Sequence, residues 1–261
     1  MNTPDWNPAL YTRFEDERTR PAAELLARVP PTAPGRVVDL GCGPGNSTEL
    51  LLARYRQACI TGLDSSPAML SSARQRLPGL TFELGDIASW QPAAPLDLVY
   101  ANAALQWVSD HESLLPRLMA ALSPGGVLAV QMPDNLDQPS HTLMREVAAD
   151  PRFAPAIGDA GKLRARILPA EHYYDLLAPT AEVDVWRTTY YHLMDDAAAI
   201  VQWLRATGLK PFVEALPTAL QPLFLAEYEQ RIDAAYPPRA DGKRLLAFPR
   251  LFFVARSPVA A

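Results

Sequence analysis

Residues 36–48 read RVVDLGCGPGNST. A strand-like apolar run ends in three glycines within five positions, and a helix-like segment, STELLLARYRQA, follows at once. Glycine admits positive φ and lets the backbone approach a ligand closely. Such a turn after a strand suits a nucleotide phosphate, an adenosyl group or no ligand at all. The dinucleotide fingerprint G-x-G-x-x-G is not met, because Asn46 occupies the position of its third glycine. Pro44 takes one N–H donor out of the loop. No Gly-Lys-Ser/Thr follows, which excludes a P-loop. The turn is built for close backbone approach and makes a poor phosphate cradle.

Outward from this turn, short apolar runs alternate with helical periodicity. CITGLD (59–64), LTFELGD (80–86), LDLVYAN (96–102) and GGVLAVQM (125–132) read as strands, while SPAMLSSARQRL (66–77) and HESLLPRLMAAL (111–122) read as helices. Strands separated by helices of about a dozen residues predict an α/β fold with a doubly wound, mostly parallel sheet. Near-continuous Val, Leu and Ile in the strands fits burial on both faces. After residue 133 the chain turns polar and proline-dotted until AEVDVWRTTYYHL (181–193), a loosely alternating sixth strand. AAAIVQWLRATG (197–208) reads as a helix closed by Gly208 at its C-cap, and KRLLAFPRLFFVARS (243–257) as a seventh strand. The expected organisation is a single domain over 1–261. It comprises an N-terminal helical cap at 1–30, a ligand-binding core at 31–135, a substrate-side helical insertion at 136–236 and the terminal strand at 237–261.

Bulk composition narrows the function classes. The chain has 261 residues, 49% of them apolar, and a net charge of −5, with no run of Lys and Arg that would mark a nucleic-acid partner. The start, MNTPDWNPAL, lacks the basic and apolar regions of a signal peptide. No apolar stretch reaches the roughly 18–20 residues of a membrane span. Cys42, Cys59 and four histidines show neither metal-ligand spacing nor a disulfide framework. A soluble, cytoplasmic protein without a metal is expected.

Two acids sharpen the ligand. Asp64 ends the second strand, in TGLDSS beside Ser65, and a carboxylate there is placed to accept both hydroxyls of a ribose. Asp86 ends the third strand, where its carboxylate can accept from an exocyclic amine with Ile87 against the base. The alternative for each is a helix N-cap or turn residue.

The run VVDLGCGPGNST, with Asp64, the GDI at 85–87 and SPGG before VLAVQM, resembles the class I S-adenosylmethionine-dependent methyltransferases over about residues 30–135. The resemblance implies a seven-stranded Rossmann-like sheet with S-adenosylmethionine as cofactor. It places Gly41, Gly43 and Gly45 beside the methionine part, Asp64 and its neighbour Ser65 at the ribose, and Asp86 with Ile87 at the adenine. Asp39 matches an acid that holds the loop or the cofactor's amino group, and Asn102 a position lining the methyl-transfer site. Met69 either packs on the adenine or belongs to the core.

The flanks resemble more narrowly the trans-aconitate 2-methyltransferases, in DWNPALYTRFEDERTRPAAELLARV, VWRTTYYHLMDDAAAIVQWLRATGLKPF and LLAFPRLFFVAR. ALQW, with Trp107, is shared with malonyl-carrier-protein methyltransferases and decides nothing between them. The implied reaction methylates a carboxylate of trans-aconitate or a related small polycarboxylate. Alternatives are a malonyl-carrier-protein or other small-acid carboxyl methyltransferase and, from another class, an NAD(P)-binding oxidoreductase, which Asn46 opposes. A polycarboxylate calls for arginine forks and OH donors. Candidates are Tyr11, Arg13, Arg18 and Arg20 near the N-terminus, Trp107 after the fourth strand, then Tyr190, His192, Trp203 and Arg205 in the later flank. The competing readings are a solvated, charge-alternating helix face for RFEDERTR and core packing for Tyr190 and Trp203. The acceptor oxygen is already ionised at neutral pH, so no acid–base residue is expected. His111 reads as a polar residue at a helix start.

Overall fold

Val37–Leu40 is a run of buried apolar side chains interrupted only by Asp39, and it becomes the central strand of the sheet. A computed structural model describes residues 15–31, 33–205 and 207–259, with side chains from residue 19 onward. In chain order the elements are α1 (Glu15–Arg28), β1 (Arg36–Leu40), α2 (Asn46–Arg54), β2 (Cys59–Asp64), α3 (Pro67–Arg76), β3 (Thr81–Leu84) and β4 (Leu96–Asn102). Then follow α4 (His111–Ala120), β5 (Leu122–Pro133), α5 (Pro139–Ala148), α6 (Ala154–Ile157), α7 (Ala170–Leu177) and β6 (Glu182–Met194). The last are α8 (Ala197–Arg205), α9 (Lys210–Ala215), α10 (Gln221–Ala235) and β7 (Arg244–Arg256).

The seven strands lie in the order β3-β2-β1-β4-β5-β7-β6. β1 runs parallel to both β2 and β4, β2 to β3 and β4 to β5. The strand order therefore reverses at β1, with Asp39 level with Gly62 on one side and Tyr100 on the other. In open α/β sheets the ligand crevice lies beyond the carboxyl ends of the strands at this reversal. The expected α/β sheet is present, with all seven strands where the apolar runs put them.

The chain divides into two compact units. The first takes the described residues of Met1–Pro133, Ile167–Arg187 and Leu251–Ala261. Its core joins Val38, Leu40, Leu63, Val99 and Leu128 to Leu114, Leu118 and Tyr173. α1 is fastened by Tyr100 Oη, which donates to the Ala22 carbonyl at 2.6 Å, and by Arg54 Nη2, which donates to the Val29 carbonyl at 2.9 Å. The stretch 167–187, grouped with the insertion on sequence, belongs to this unit.

The second unit takes Asp134–Arg166 and Thr188–Arg250. Here α10 packs on α5 and α8, burying Phe224, Tyr228 and Ile232. Tyr228 Oη donates to the Ser140 carbonyl at 2.6 Å, and the Ser140 N–H donates to Tyr236 Oη at 3.0 Å. Gly208 is not the C-cap glycine that the sequence suggested: α8 ends at Arg205, and Gly208 is not among the residues with positive φ. Its reason is space. A Cβ there would stand 3.0 Å from His141 Nε2 and 3.3 Å from Arg164 Nη1.

Candidate functional site

The glycine turn is left-handed three times over, with φ of +67° at Gly41, +55° at Gly43 and +94° at Gly45. It is stitched to the end of β2. The N–H groups of Gly41 and Cys42 both donate to the Leu63 carbonyl, at 2.7 and 3.0 Å, and the Gly43 N–H donates to Asp64 Oδ2 at 2.9 Å. A Cβ on Gly41 would overlap that of Ala104, so the turn meets the loop after β4 at backbone distance. A Cβ on Gly43 would meet nothing within 4 Å, so that side of the turn is open.

Asp64 does two structural jobs, since its Oδ1 also accepts the Ser66 N–H at 2.8 Å. Ser66 in turn caps α3 by accepting the Met69 N–H at 3.1 Å. A carboxylate has about four lone-pair positions, so acceptance from a ribose hydroxyl is compatible with both backbone bonds. Ser65 is exposed beside it, and Met69 is buried to 3% exposure. Asp86 is exposed; its Oδ1 accepts the Ala88 N–H at 2.9 Å in the turn geometry weighed as the alternative. Ile87 next to it is half-buried against the core. Arg117 fixes this loop by donating to the carbonyls of Ile87 at 3.0 Å, Ala88 at 2.7 Å and Trp90. That anchor was missed on sequence because it sits 30 residues away from Ile87 on α4.

Asp39 is fully buried, and its Oδ2 accepts from Ser47 Oγ at 2.7 Å and Thr48 Oγ1 at 2.6 Å. Its Oδ1 has no hydrogen-bond partner. Burial first, and then the charge of Asp64, push its pKa up to about 7 against the pull of the two hydroxyls. At the end of β4, Asn102 Oδ1 is likewise buried without a partner, as are Asn46 Oδ1 and Gln106 Oε1. Ala103 between them holds φ of +53°, its N–H donating to the Gln131 carbonyl at 2.9 Å and its carbonyl accepting from Gln106 Nε2 at 2.6 Å. Backbone strain of this kind, about 1–3 kcal/mol, concentrates at ligand-binding positions. The unpartnered atoms of Asp39, Asn46, Asn102 and Gln106 are oxygen acceptors. A phosphate, itself an acceptor, would relieve none of them; a ligand carrying an ammonium group, hydroxyls and an amine would. The residues fit the adenosyl donor.

His111 is buried with both ring nitrogens engaged. Tyr173 Oη accepts the Leu168 N–H at 3.1 Å and lies 2.6 Å from His111 Nδ1, while Nε2 lies 2.8 Å from the Leu105 carbonyl. Only Nε2–H can serve a carbonyl, so Nδ1 accepts the tyrosine proton. The ring stands at the start of α4, with its two nitrogens engaged by Tyr173 and the Leu105 carbonyl. Tyr173, fully buried on α7, was not singled out on sequence.

The substrate candidates scatter. Tyr11 and Arg13 lie outside the described residues, as does the side chain of Arg18. Arg20 is exposed and pairs with Glu24 at 2.9 Å, Arg205 is exposed on α8, and Trp107 is 42% exposed. Tyr190, His192 and Trp203 come together in the second unit, all buried, with the rings of His192 and Trp203 4.5 Å apart and Phe248 against both. Arg250, missed on sequence, lies buried over Phe248 at 4.9 Å. Among the described residues no group of three His, Cys, Asp or Glu side chains is placed to hold a metal, and no helix is long and apolar enough to cross a membrane.

A family profile described as a methyltransferase domain matches residues 37–126, the stretch that carries the glycine turn, Asp64, Asp86 and Asn102. Among solved structures, the YcgJ protein from Bacillus subtilis superimposes with a TM-score of 0.58 at 12% identity, covering 92% of this chain and all of that one. The phosphoethanolamine N-methyltransferase 2 of Haemonchus contortus, in complex with S-adenosylhomocysteine, gives 0.55 at 16% identity, covering 92% of this chain and 53% of that one. These likenesses show the fold. The trans-aconitate 2-methyltransferase of Variovorax paradoxus is 67% identical over 255 residues, covering 97% of this chain and 98% of the relative. Those of Delftia acidovorans and Yersinia pestis are 66% and 59% identical with the same coverage. Sequence identity at this level, along nearly the full length of both chains, means that the protein belongs to the trans-aconitate 2-methyltransferase family, within the class I methyltransferases.

Proposed function

We propose that the protein methylates a carboxylate of trans-aconitate, giving a methyl ester and S-adenosylhomocysteine, and does so in the cytoplasm. The observation that carries the cofactor reading is the set of buried acceptor oxygens at Asp39, Asn46, Asn102 and Gln106 around the ends of β1 and β4. Asp39 would take the amino end of the cofactor, the Gly41–Gly45 turn its methionine portion, Asp64 with Ser65 the ribose, and Asp86 with Ile87 the adenine. When bound, S-adenosylmethionine supplies a sulfonium-activated methyl group to the attacking carboxylate oxygen. The protein has no proton to move for this, which agrees with a His111 ring committed on both sides. Its contribution is alignment of nucleophile and leaving group along one line, together with exclusion of water.

The test is transfer of a labelled methyl group to a panel of di- and tricarboxylates and to a malonyl-loaded carrier protein. Transfer to trans-aconitate in preference to the others is expected. Transfer to the carrier protein alone would replace this reading with the carrier-protein one. Asp64→Ala should weaken S-adenosylhomocysteine binding by about 1.5–3 kcal/mol, because a charged acceptor is lost at the ribose and the Gly43 and Ser66 N–H groups lose theirs. Unchanged affinity by calorimetry would remove Asp64 from the site.

A further inference from the structure

The loop that follows β4 carries strain at both ends. Ala103 and Asp110, the two non-glycine residues with positive φ among the described residues, bracket it at +53° and +59°. Between them Leu105–Trp107 makes a single 3-10 turn. A lone turn fixes several residues for few hydrogen bonds, so such a loop needs support from outside itself. Backbone strain persists only where the surroundings over-determine it, and it gathers at ligand-binding positions. The loop also walls the crevice. A Cβ on Gly41 would stand 3.7 Å from Ile87 Cδ1 as well as overlap Ala104 Cβ, so the glycine turn, Ile87 and the loop meet at one point. Before and after Ala103 in the chain come the buried, unpartnered oxygens Asn102 Oδ1 and Gln106 Oε1.

Support comes from a chain of hydrogen bonds that all run one way. The Leu168 N–H donates to Tyr173 Oη at 3.1 Å, Tyr173 Oη donates to His111 Nδ1 at 2.6 Å, and His111 Nε2 donates to the Leu105 carbonyl at 2.8 Å. That carbonyl also accepts the Val108 N–H at 2.9 Å, which occupies its second lone pair. Donors and acceptors that follow one another in this way polarise and strengthen each other. Packing keeps the two rings in place. Tyr173 is fully buried, stacks on Phe253 with ring centroids 5.2 Å apart and tilts against His111 at 5.7 Å. Two buried polar side chains could serve only to satisfy one another. Here the chain of bonds continues past both and ends on the strained loop, at the residue after Ala104.

We propose that Tyr173 and His111 are positioning residues for methyl transfer: by fixing the Leu105 carbonyl they hold residues 103–107 against the glycine turn in one arrangement. Tyr173 sets the imidazole tautomer, since its hydroxyl donates to Nδ1 and leaves the ring's own proton on Nε2. A shift of about 1 Å in such a wall can cost about a hundredfold in rate. The proposal rests on the methyl-transfer reading for its rate measurement alone, and its spectroscopic measurement needs no acceptor.

The experiment compares wild type with Tyr173→Phe, His111→Gln and His111→Leu. At mildly alkaline pH, nitrogen-labelled wild type should show the His111 ring protonated at Nε2 alone, and saturating S-adenosylhomocysteine should shift that signal. Tyr173→Phe should mix the two tautomers and lower kcat per cofactor site by about tenfold or more, with the acceptor KM within about twofold of wild type. Calorimetric stoichiometry with S-adenosylhomocysteine counts those sites, so a variant that is merely less folded keeps its kcat per site. His111→Gln, whose amide nitrogen can take the place of Nε2, should recover part of the rate that His111→Leu loses. Equal rates for those two, or a Tyr173→Phe kcat per site within about twofold of wild type, overturns the proposal. Should the variants not fold, wild type decides. A ring protonated at Nδ1, or an Nε2–H signal that S-adenosylhomocysteine leaves unmoved, overturns it, and a shifted Nε2–H signal supports it. A shifted signal without methyl transfer to trans-aconitate would sink the proposed acceptor and leave the loop support standing. Transfer to trans-aconitate by Tyr173→Phe at the wild-type rate per site would do the reverse.

Discussion

Gly41→Ala is expected to destabilise the protein by about 2–5 kcal/mol, from a backbone penalty of about 1–2 kcal/mol and a packing penalty of about 1–3 kcal/mol. The first arises because φ is +67°, where an L-residue sets its Cβ against the next carbonyl. The second arises because the added methyl group would overlap Ala104 Cβ, itself buried at 7% exposure. The turn cannot swing aside to relieve either, since the Gly41 and Cys42 N–H groups are both tied to the Leu63 carbonyl. Urea unfolding at fixed pH measures the loss as a shift in midpoint at constant slope. Two companions separate the contributions. Gly41→Ala with Ala104→Gly should recover the packing part and leave the backbone part. Gly43→Ala should lose only the backbone part, because its Cβ meets nothing within 4 Å. A Gly41→Ala protein within about 0.5 kcal/mol of wild type, the range of ordinary surface substitutions, would mean that the turn and the β4 loop do not approach as described.

Features encoded within a few residues of one another were legible in the sequence. β1, β2 and β4 are short apolar runs buried on both faces, and a left-handed turn announces itself through glycine. Asp64 and Asp86 could be placed at strand ends for the same reason, with a cap or turn role open for each, although not the bond to Asp64 from the Gly43 N–H 21 residues earlier. Side chains that act across long separations were not legible. Arg117 reaches the carbonyls of a loop 27–30 residues earlier, Tyr173 meets His111 from 62 residues away, and Arg164 meets His141 beside Gly208 through three separate segments. Gly208 shows how the same residue misleads: glycine after a helix signals a cap, yet here it makes way for two side chains. The α10 helix carried a usable signal that was passed over, Phe224, Tyr228 and Ile232 recurring every four residues on the buried face. Alternation in β6 marked Tyr190 and His192 as facing one way, but whether that face met substrate or the Trp203 and Phe248 rings depended on packing no local pattern records.

Asp39→Asn should stabilise the ligand-free protein above pH 7 while weakening its hold on the cofactor. Burial raises the Asp39 pKa from the ordinary 3.8 to about 7. Below the lower value the carboxyl is protonated whether the chain is folded or not, and there is no penalty. Between the two values the folded chain binds one more proton than the unfolded one, so stability falls as pH rises, by about 1.4 kcal/mol per pH unit. The loss reaches about 4 kcal/mol near pH 7 and is constant above it. Asparagine removes that slope. Its single carbonyl oxygen can replace Oδ2, which already accepts both Ser47 Oγ and Thr48 Oγ1. His141, held near 3 by burial, contributes the opposite slope between there and its ordinary 6.5. The informative quantity is therefore the stability of the variant minus that of wild type across pH 4–8, in which the His141 contribution cancels. That difference should grow in the variant's favour as pH rises and then level off above about 7. Binding should move the other way. An ammonium group at Oδ1 favours the ionised acid, so wild-type affinity for S-adenosylhomocysteine should rise with pH through about 7, whereas the Asp39→Asn affinity should be lower and flat. A difference that stays level from pH 4 to 8 would mean that Asp39 titrates as an ordinary carboxylate, and its unpartnered oxygen would then not be the point at which the cofactor's positive end is held.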